Sequence, residues 1–139
     1  MSCILRVSGE ALDIDALMSG LALSADRTWR TGETRSKIAG RVHTNSGANF
    51  IASNADLDAF TQQVADATAF LESNLPAIAK LASFPGVEQV TLDFGTALLE
   101  GNVTMFSYLP PLLVRLAAQA NIGIEISHYL CSEEPGAEG

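Results

Sequence analysis

The stretch DLDAFTQQVADATAFLESNLPAIAKLAS, residues 56–83, decides how the chain is read. Leu57, Phe60, Val64, Ala67, Leu71, Leu75, Ile78 and Leu81 recur in it at steps of three and four. That period puts them on one stripe of a helix facing a core. Ser53 followed by Asp56 has the spacing of an acidic capping box, which sets the start. Pro76 lies inside the pattern. Its ring removes one backbone hydrogen bond and clashes one turn back, so a kink or a split is predicted near residues 72–75. Phe84-Pro85-Gly86 stops the helix.

Working outward, the residues before it read as strands at 37–44 and 48–53, joined by the turn signal Asn45-Ser46-Gly47. Earlier still, residues 3–8 alternate as a strand, with Cys3, Leu5 and Val7 on one face and Ile4, Arg6 and Ser8 on the other. Asp13 caps a short helix from Ile14, with Leu12 and Leu17 placed as a hydrophobic staple and Gly20 at its end. Residues 22–36 read as irregular. After the long helix, 87–94 forms a strand with Val90, Leu92 and Phe94 opposed to Thr91 and Asp93. A 95–109 connection carries Asn102, Met105, Phe106 and Tyr108. Pro110-Pro111 opens a helix, and Ile122, Ile124 and Ile126 alternate along a last strand.

The order β-α-β-β-α-β, then α-β, predicts an α+β fold with a ferredoxin-like core extended by a further α-β unit. Right-handed crossovers place the helices on one sheet face, with strand order 5-4-1-3-2. Residues 1–131 form a single domain, and 132–139 a flexible acidic tail.

At 139 residues, 47% hydrophobic and 17% charged, the chain has enough apolar material for a core and does not fit a disordered composition. Its apolar runs are far shorter than the roughly 20 residues of a membrane span. No basic-then-apolar leader is read at the start, so the expectation is a cytoplasmic protein with Cys3 and Cys131 as free thiols. The net charge of −8 argues against nucleic acid and against an anionic membrane surface. Charge is uneven. Arg27, Arg30, Arg35, Lys37 and Arg41 face only Glu33 between residues 27 and 43, a local +4 that leaves −12 elsewhere.

Several segments together resemble an uncharacterised family of small bacterial α+β proteins that carries only a domain-of-unknown-function label. They are Ile4-Leu5-Arg6-Val7-Ser8-Gly9-Glu10, Asp26-Arg27-Thr28-Trp29-Arg30-Thr31-Gly32-Glu33, and Phe84-Pro85-Gly86-Val87 leading to Thr91-Leu92-Asp93-Phe94-Gly95. The resemblance implies the fold and the cytosolic setting and transfers no activity.

Candidate functional residues follow from this layout. On the sheet face without helices, Arg6 stands beside Asp93 and Glu125, either as cross-strand ion pairs or as an acid/base pair with an anion-holding arginine. Trp29 and Arg30, with Arg41 in the same basic segment, could stack or pair a planar or anionic ligand; the plainer reading has Trp29 covering the core edge. Tyr108 sits on a connection long enough to be a binding loop or a packed flap. No serine lies in a nucleophile elbow, and no metal or cofactor is expected. Cys3, His128 and Cys131 lack a fourth ligand unless His43 supplies it, and one strand separates them.

The leading expectation is therefore a non-enzymatic protein-interaction module. Concrete versions are an immunity-type inhibitor of a basic partner, and a homodimer joined face to face through Arg6 and the acids of a second copy, on a face also carrying Ile4, Ala39 and Tyr129. The alternative is a small-molecule or anion-binding domain around Trp29 and Arg30.

Overall fold

Alternation along the first strand sets the architecture. In the computed structural model, which describes residues 1–35, 40–101 and 104–131, β1 (Cys3–Gly9) lies at the centre of the sheet. Cys3, Leu5 and Val7 are fully buried, and Arg6 points to the opposite face. The described residues add α1 (Ile14–Ser19), β2 (Arg27–Trp29), β3 (Ser46–Ser53), α2 (Phe60–Ser83), β4 (Gln89–Leu99), α3 (Pro111–Gln119) and β5 (Gly123–Cys131). The five strands form one sheet in the order β2-β3-β1-β4-β5, antiparallel except for the parallel β4–β5 pair that α3 connects. The protein is a mixed α+β fold.

One core sits between the sheet and the helices. Leu5, Val7, Ala48, Phe50, Val90, Leu92 and Phe94 supply its sheet side. Ile14 and Leu17 of α1, Val64, Ala67, Leu71, Ile78 and Leu81 of α2, and Leu113, Leu116 and Ala117 of α3 close it from the same side. Burial of each large apolar side chain contributes about 1.5–3 kcal/mol.

The helix ends follow local chemistry. Asp13 caps α1 by accepting from the Ala16 N–H at 3.1 Å, and Leu12 and Leu17 are both buried. Inside α2 the helix breaks at Asn74 (φ −126°, ψ 16°), two residues before Pro76. The Asn74 side-chain amide donates to the Phe70 carbonyl one turn back at 2.9 Å.

Four expectations need correction. The second strand is Arg27–Trp29, not 37–44. Residues 37–39 of that expected strand, Ala39 among them, lie outside the described residues, and between 40 and 44 only Val42 forms an isolated bridge, to Thr34. The edge of β3 is instead taken by Arg27 opposite Asn49 and Trp29 opposite Gly47. Asn45-Ser46-Gly47 is accordingly not a hairpin turn, because Ser46 and Gly47 already belong to β3.

Helix α2 starts at Phe60, a turn later than the capping-box reading, and Leu57 is left exposed. The Ser53 hydroxyl caps no helix. It accepts from the Ala55 N–H at 3.1 Å and donates to Asp66 at 2.7 Å. Strand β4 runs on to Leu99, five residues into the expected connection. β5 pairs with it as far as Leu99–Cys131, and the Gly95 and Ala97 N–H groups donate to the Ser2 and Leu57 carbonyls. Asn102 and the 132–139 tail lie outside the described residues.

Candidate functional site

The sheet face turned away from the helices is not bare. A row of residues crosses three strands on it: Arg27 of β2 stands opposite Asn49 of β3, which stands opposite Arg6 of β1. The next row is Trp29, Gly47, Ser8 and Gln89. Trp29 is nearly buried at 8% exposure because its indole lies over Gly47. A Cβ at Gly47 would come within 2.5 Å of that ring, so the close approach requires glycine.

Residues 30–35 leave the sheet after Trp29, and residues 40–45 run beside them on the way into β3. Gly32, at φ +91°, makes the turn that a side chain would strain. Its N–H donates to the His43 carbonyl at 2.8 Å, the His43 N–H donates to the Glu33 carbonyl at 2.9 Å, and the Arg35 N–H donates to the Arg41 carbonyl at 2.9 Å. The excursion is pinned at its base. The Thr31 N–H donates to the Ser46 hydroxyl at 3.0 Å, and the Trp29 indole N–H donates to the Asn45 side-chain carbonyl at 2.9 Å. His43 stacks on Trp29 with centroids 5.6 Å apart and planes 24° from parallel.

These contacts enclose a cleft of about 480 Å³ between the excursion and the sheet. Arg6, Arg27 and Arg35 line it with His43 and the side-chain amides of Asn45, Asn49 and Gln89; Ser8, Thr44 and Trp29 complete the wall. Among the described residues no carboxylate lines it, in a chain whose net charge is −8. Arg27 and Arg35 give the concavity a positive potential that low-dielectric walls focus, while the Arg6 guanidinium beside them is already paired with Asp93 and Glu125. The planar forks of Arg27 and Arg35 match the two oxygens of a carboxylate or phosphate. The Asn49 side-chain carbonyl, between Arg6 and Arg27, is buried without a partner.

No family model, curated protein or solved structure matches this chain. The arrangement of the side chains is therefore the whole basis for reading the site.

Of the residues singled out in sequence, Trp29 and Arg6 meet in the cleft. Arg30 turns the other way. It pairs with Asp15 of α1 through two hydrogen bonds, with Glu33 at 3.9 Å, and its hydrogen bond holds the Asp15 carboxyl below its ordinary range. Arg41 contributes a backbone carbonyl to the excursion and does not line the cleft. Tyr108 is exposed on the connection leading to α3. Asp93 and Glu125 flank Arg6 at 3.3 and 3.9 Å. Asp93 also accepts from the Ser127 hydroxyl at 2.7 Å, so this buried carboxylate has two donors.

Asn45, Asn49 and Gln89 carry no mark in the sequence as site residues, Arg27 and Arg35 stand out only as members of the basic segment, and His43 only as a possible fourth metal ligand. Arg27, Arg35 and His43 lie in the basic segment and Asn45 just beyond it, and that charge cluster was the available signal.

The cysteines offer no second site. Both are free, and burial, with the nearby negative charge of Asp93, pushes the Cys3 thiol well up, which keeps it protonated and unreactive. His128 is exposed, and its Nδ1 lies 3.2 Å from the Thr96 hydroxyl.

Proposed function

We propose that this protein is a small-anion-binding domain, and that the cleft between β1–β3 and residues 30–35 and 40–45 holds a ligand bearing a phosphate or carboxylate group. The observation that carries this reading is the cleft wall: Arg27 and Arg35 with His43, beside an Arg6 that Asp93 and Glu125 hold in place, and no carboxylate among the described lining residues. A volume of about 480 Å³ falls within the usual range for small-molecule sites, roughly 300–1,000 Å³. Trp29 is committed to Gly47 on one side and His43 on the other. Its role is to shape the wall, and recognition rests on charge, not on stacking. We read the domain as a ferredoxin-like core with an added α-β unit, and place it with the small bacterial α+β proteins that its motifs resemble.

A thermal-shift screen tests the function. Phosphate, pyrophosphate, nucleotides and di- and tricarboxylates are added to the native chain, since a ligand that binds only the folded state raises the melting temperature. At least one class should stabilise the wild type, and Arg27→Gln combined with Arg35→Gln should abolish that shift. No shift with any of them contradicts the proposal.

The protein-interaction reading finds less support. Arg6 is already engaged by Asp93 and Glu125 of its own chain, which removes the charge that a face-to-face dimer would exchange.

A further inference from the structure

The basic cleft has a neighbour. Arg6, part of its wall, also lines a second concavity of about 220 Å³ on the same sheet face. The outward residues of β1 mark the passage between them: Ser8 lines the cleft, Arg6 both spaces, and Ile4 the second. Outward side chains two residues apart on a strand stand roughly 6.5–7 Å from one another, so about 13 Å separates Ser8 from Ile4. The chemistry changes along that path. Arg27 and Arg35 charge the first space, whereas Ile4, Leu57 and Tyr129 wall the second. Leu57 is tied in place because the Ala97 N–H donates to its carbonyl at 3.2 Å. Gly95 keeps the floor open, since a Cβ there would come within 3.2 Å of the Leu57 and Tyr129 side chains.

We infer that the ligand of the cleft is amphipathic: one phosphate or carboxylate group seated at Arg27 and Arg35, carrying an uncharged apolar chain that crosses Arg6 and lies against Ile4, Leu57 and Tyr129. The inference rests on the anion reading and names its class of ligand. Asp93, in the wall of the second space, decides what the far end of that ligand can be. One of its carboxylate oxygens accepts from Arg6 and the other from Ser127. Its side chain is only 9% exposed, so covering it removes little hydration. With Glu125 3.9 Å from Arg6, two carboxylates stand against one guanidinium there. A second anionic group at that end is repelled, and an apolar one is not. Arg6 itself, with 36% of its side chain exposed, offers the crossing chain its methylene stem.

Calorimetric titration of the native chain with methyl, butyl and octyl phosphate, each below its micelle concentration, tests this. Affinity should rise with chain length, by about two- to fourfold for each methylene that becomes buried. Octanoate should bind at least about tenfold more tightly than octanedioate, a difference of about 1.4 kcal/mol, because only the second carries an anion at both ends. Leu57→Ser with Tyr129→Ser changes two partly exposed side chains. It should flatten the dependence on chain length and leave methyl phosphate binding as in the wild type. Arg27→Gln with Arg35→Gln should weaken every member of the series. Anionic vesicles should leave the protein in the supernatant, because the chain enters the second space as a free molecule. If methyl phosphate binds and longer chains gain nothing, the inference falls and the anion site stands. If no member binds, the anion reading itself falls. A chain-length gain that survives in the Leu57 and Tyr129 variant, equal affinity for octanedioate, or vesicle capture that octyl phosphate does not displace also overturns the inference.

Discussion

Gly47 and Trp29 are coupled so tightly that each defines the other's role. A methyl group at Gly47 would collide with the indole and with the Val7 carbonyl. Gly47→Ala should therefore cost about 1–3 kcal/mol, as overpacking does, and should change the fluorescence of Trp29, the single tryptophan. Chemical denaturation followed by that fluorescence checks both effects. An unchanged midpoint and spectrum would show that the ring does not rest on Gly47. At this scale the sequence was informative wherever chemistry is local. Asp13 before Ile14 was readable as a cap, and the parity of Arg6, Asp93 and Glu125 was enough to bring them together. Gln63 was not readable. It lies fully buried, and its amide donates to the Gly95 carbonyl at 2.8 Å and to the Asp56 carbonyl at 3.1 Å. Those partners come from elements whose positions only the finished fold defines.

Helix α2 organises the core, and Leu71 is at its centre with no exposure. Leu71→Ala should lower stability by about 2–5 kcal/mol, from lost transfer energy and the cavity left behind. Leu71→Asp, a buried carboxylate without a partner, should not fold. Circular dichroism melts would show this, and a cooperative Leu71→Asp variant would mean the helix faces the other way. The element is also tied to β3 through Asp66, which accepts from the Ser53 hydroxyl and from Gln62 at 2.7 Å. Those hydrogen bonds lower the Asp66 carboxyl below its ordinary value. A lowered folded-state value stabilises the protein above the unfolded value and is lost as pH falls through the folded one. Asp66→Asn should thus be less stable than wild type near neutral pH, with the gap closing in the acid range; a gap that stays constant with pH argues against this role. The kink at Asn74 was legible because Pro76 acts on its own chain. The edge strand β2 was not. Arg27-Thr28-Trp29 has neither the length nor the alternation of a strand, and it forms only because β3 offers an edge with a glycine for the indole to cover.

Over the whole molecule, charge is segregated: a chain of net −8 gathers arginines on one end of one sheet face. The basic segment announced the region but not which arginines would converge. Arg30 lies one residue beyond β2 and is captured by α1, while Arg35 returns to the sheet because the Thr34–Val42 bridge folds its segment back. Arg6, some twenty residues from Arg27 in sequence, joins it because β1 and β2 flank the same Asn49. Such convergence belongs to strand order, which local pattern constrains weakly. The proposed function requires that this convergence make an anion site. Trp29 forms part of the cleft wall, so its fluorescence, titrated with pyrophosphate at low and at high salt, reads the site directly. The wild type should give a saturable change that weakens as salt rises. Arg27→Gln with Arg35→Gln should lose that change while keeping the wild-type melting temperature. A wild-type signal that never saturates, or an equal response from the double variant, would contradict the claim.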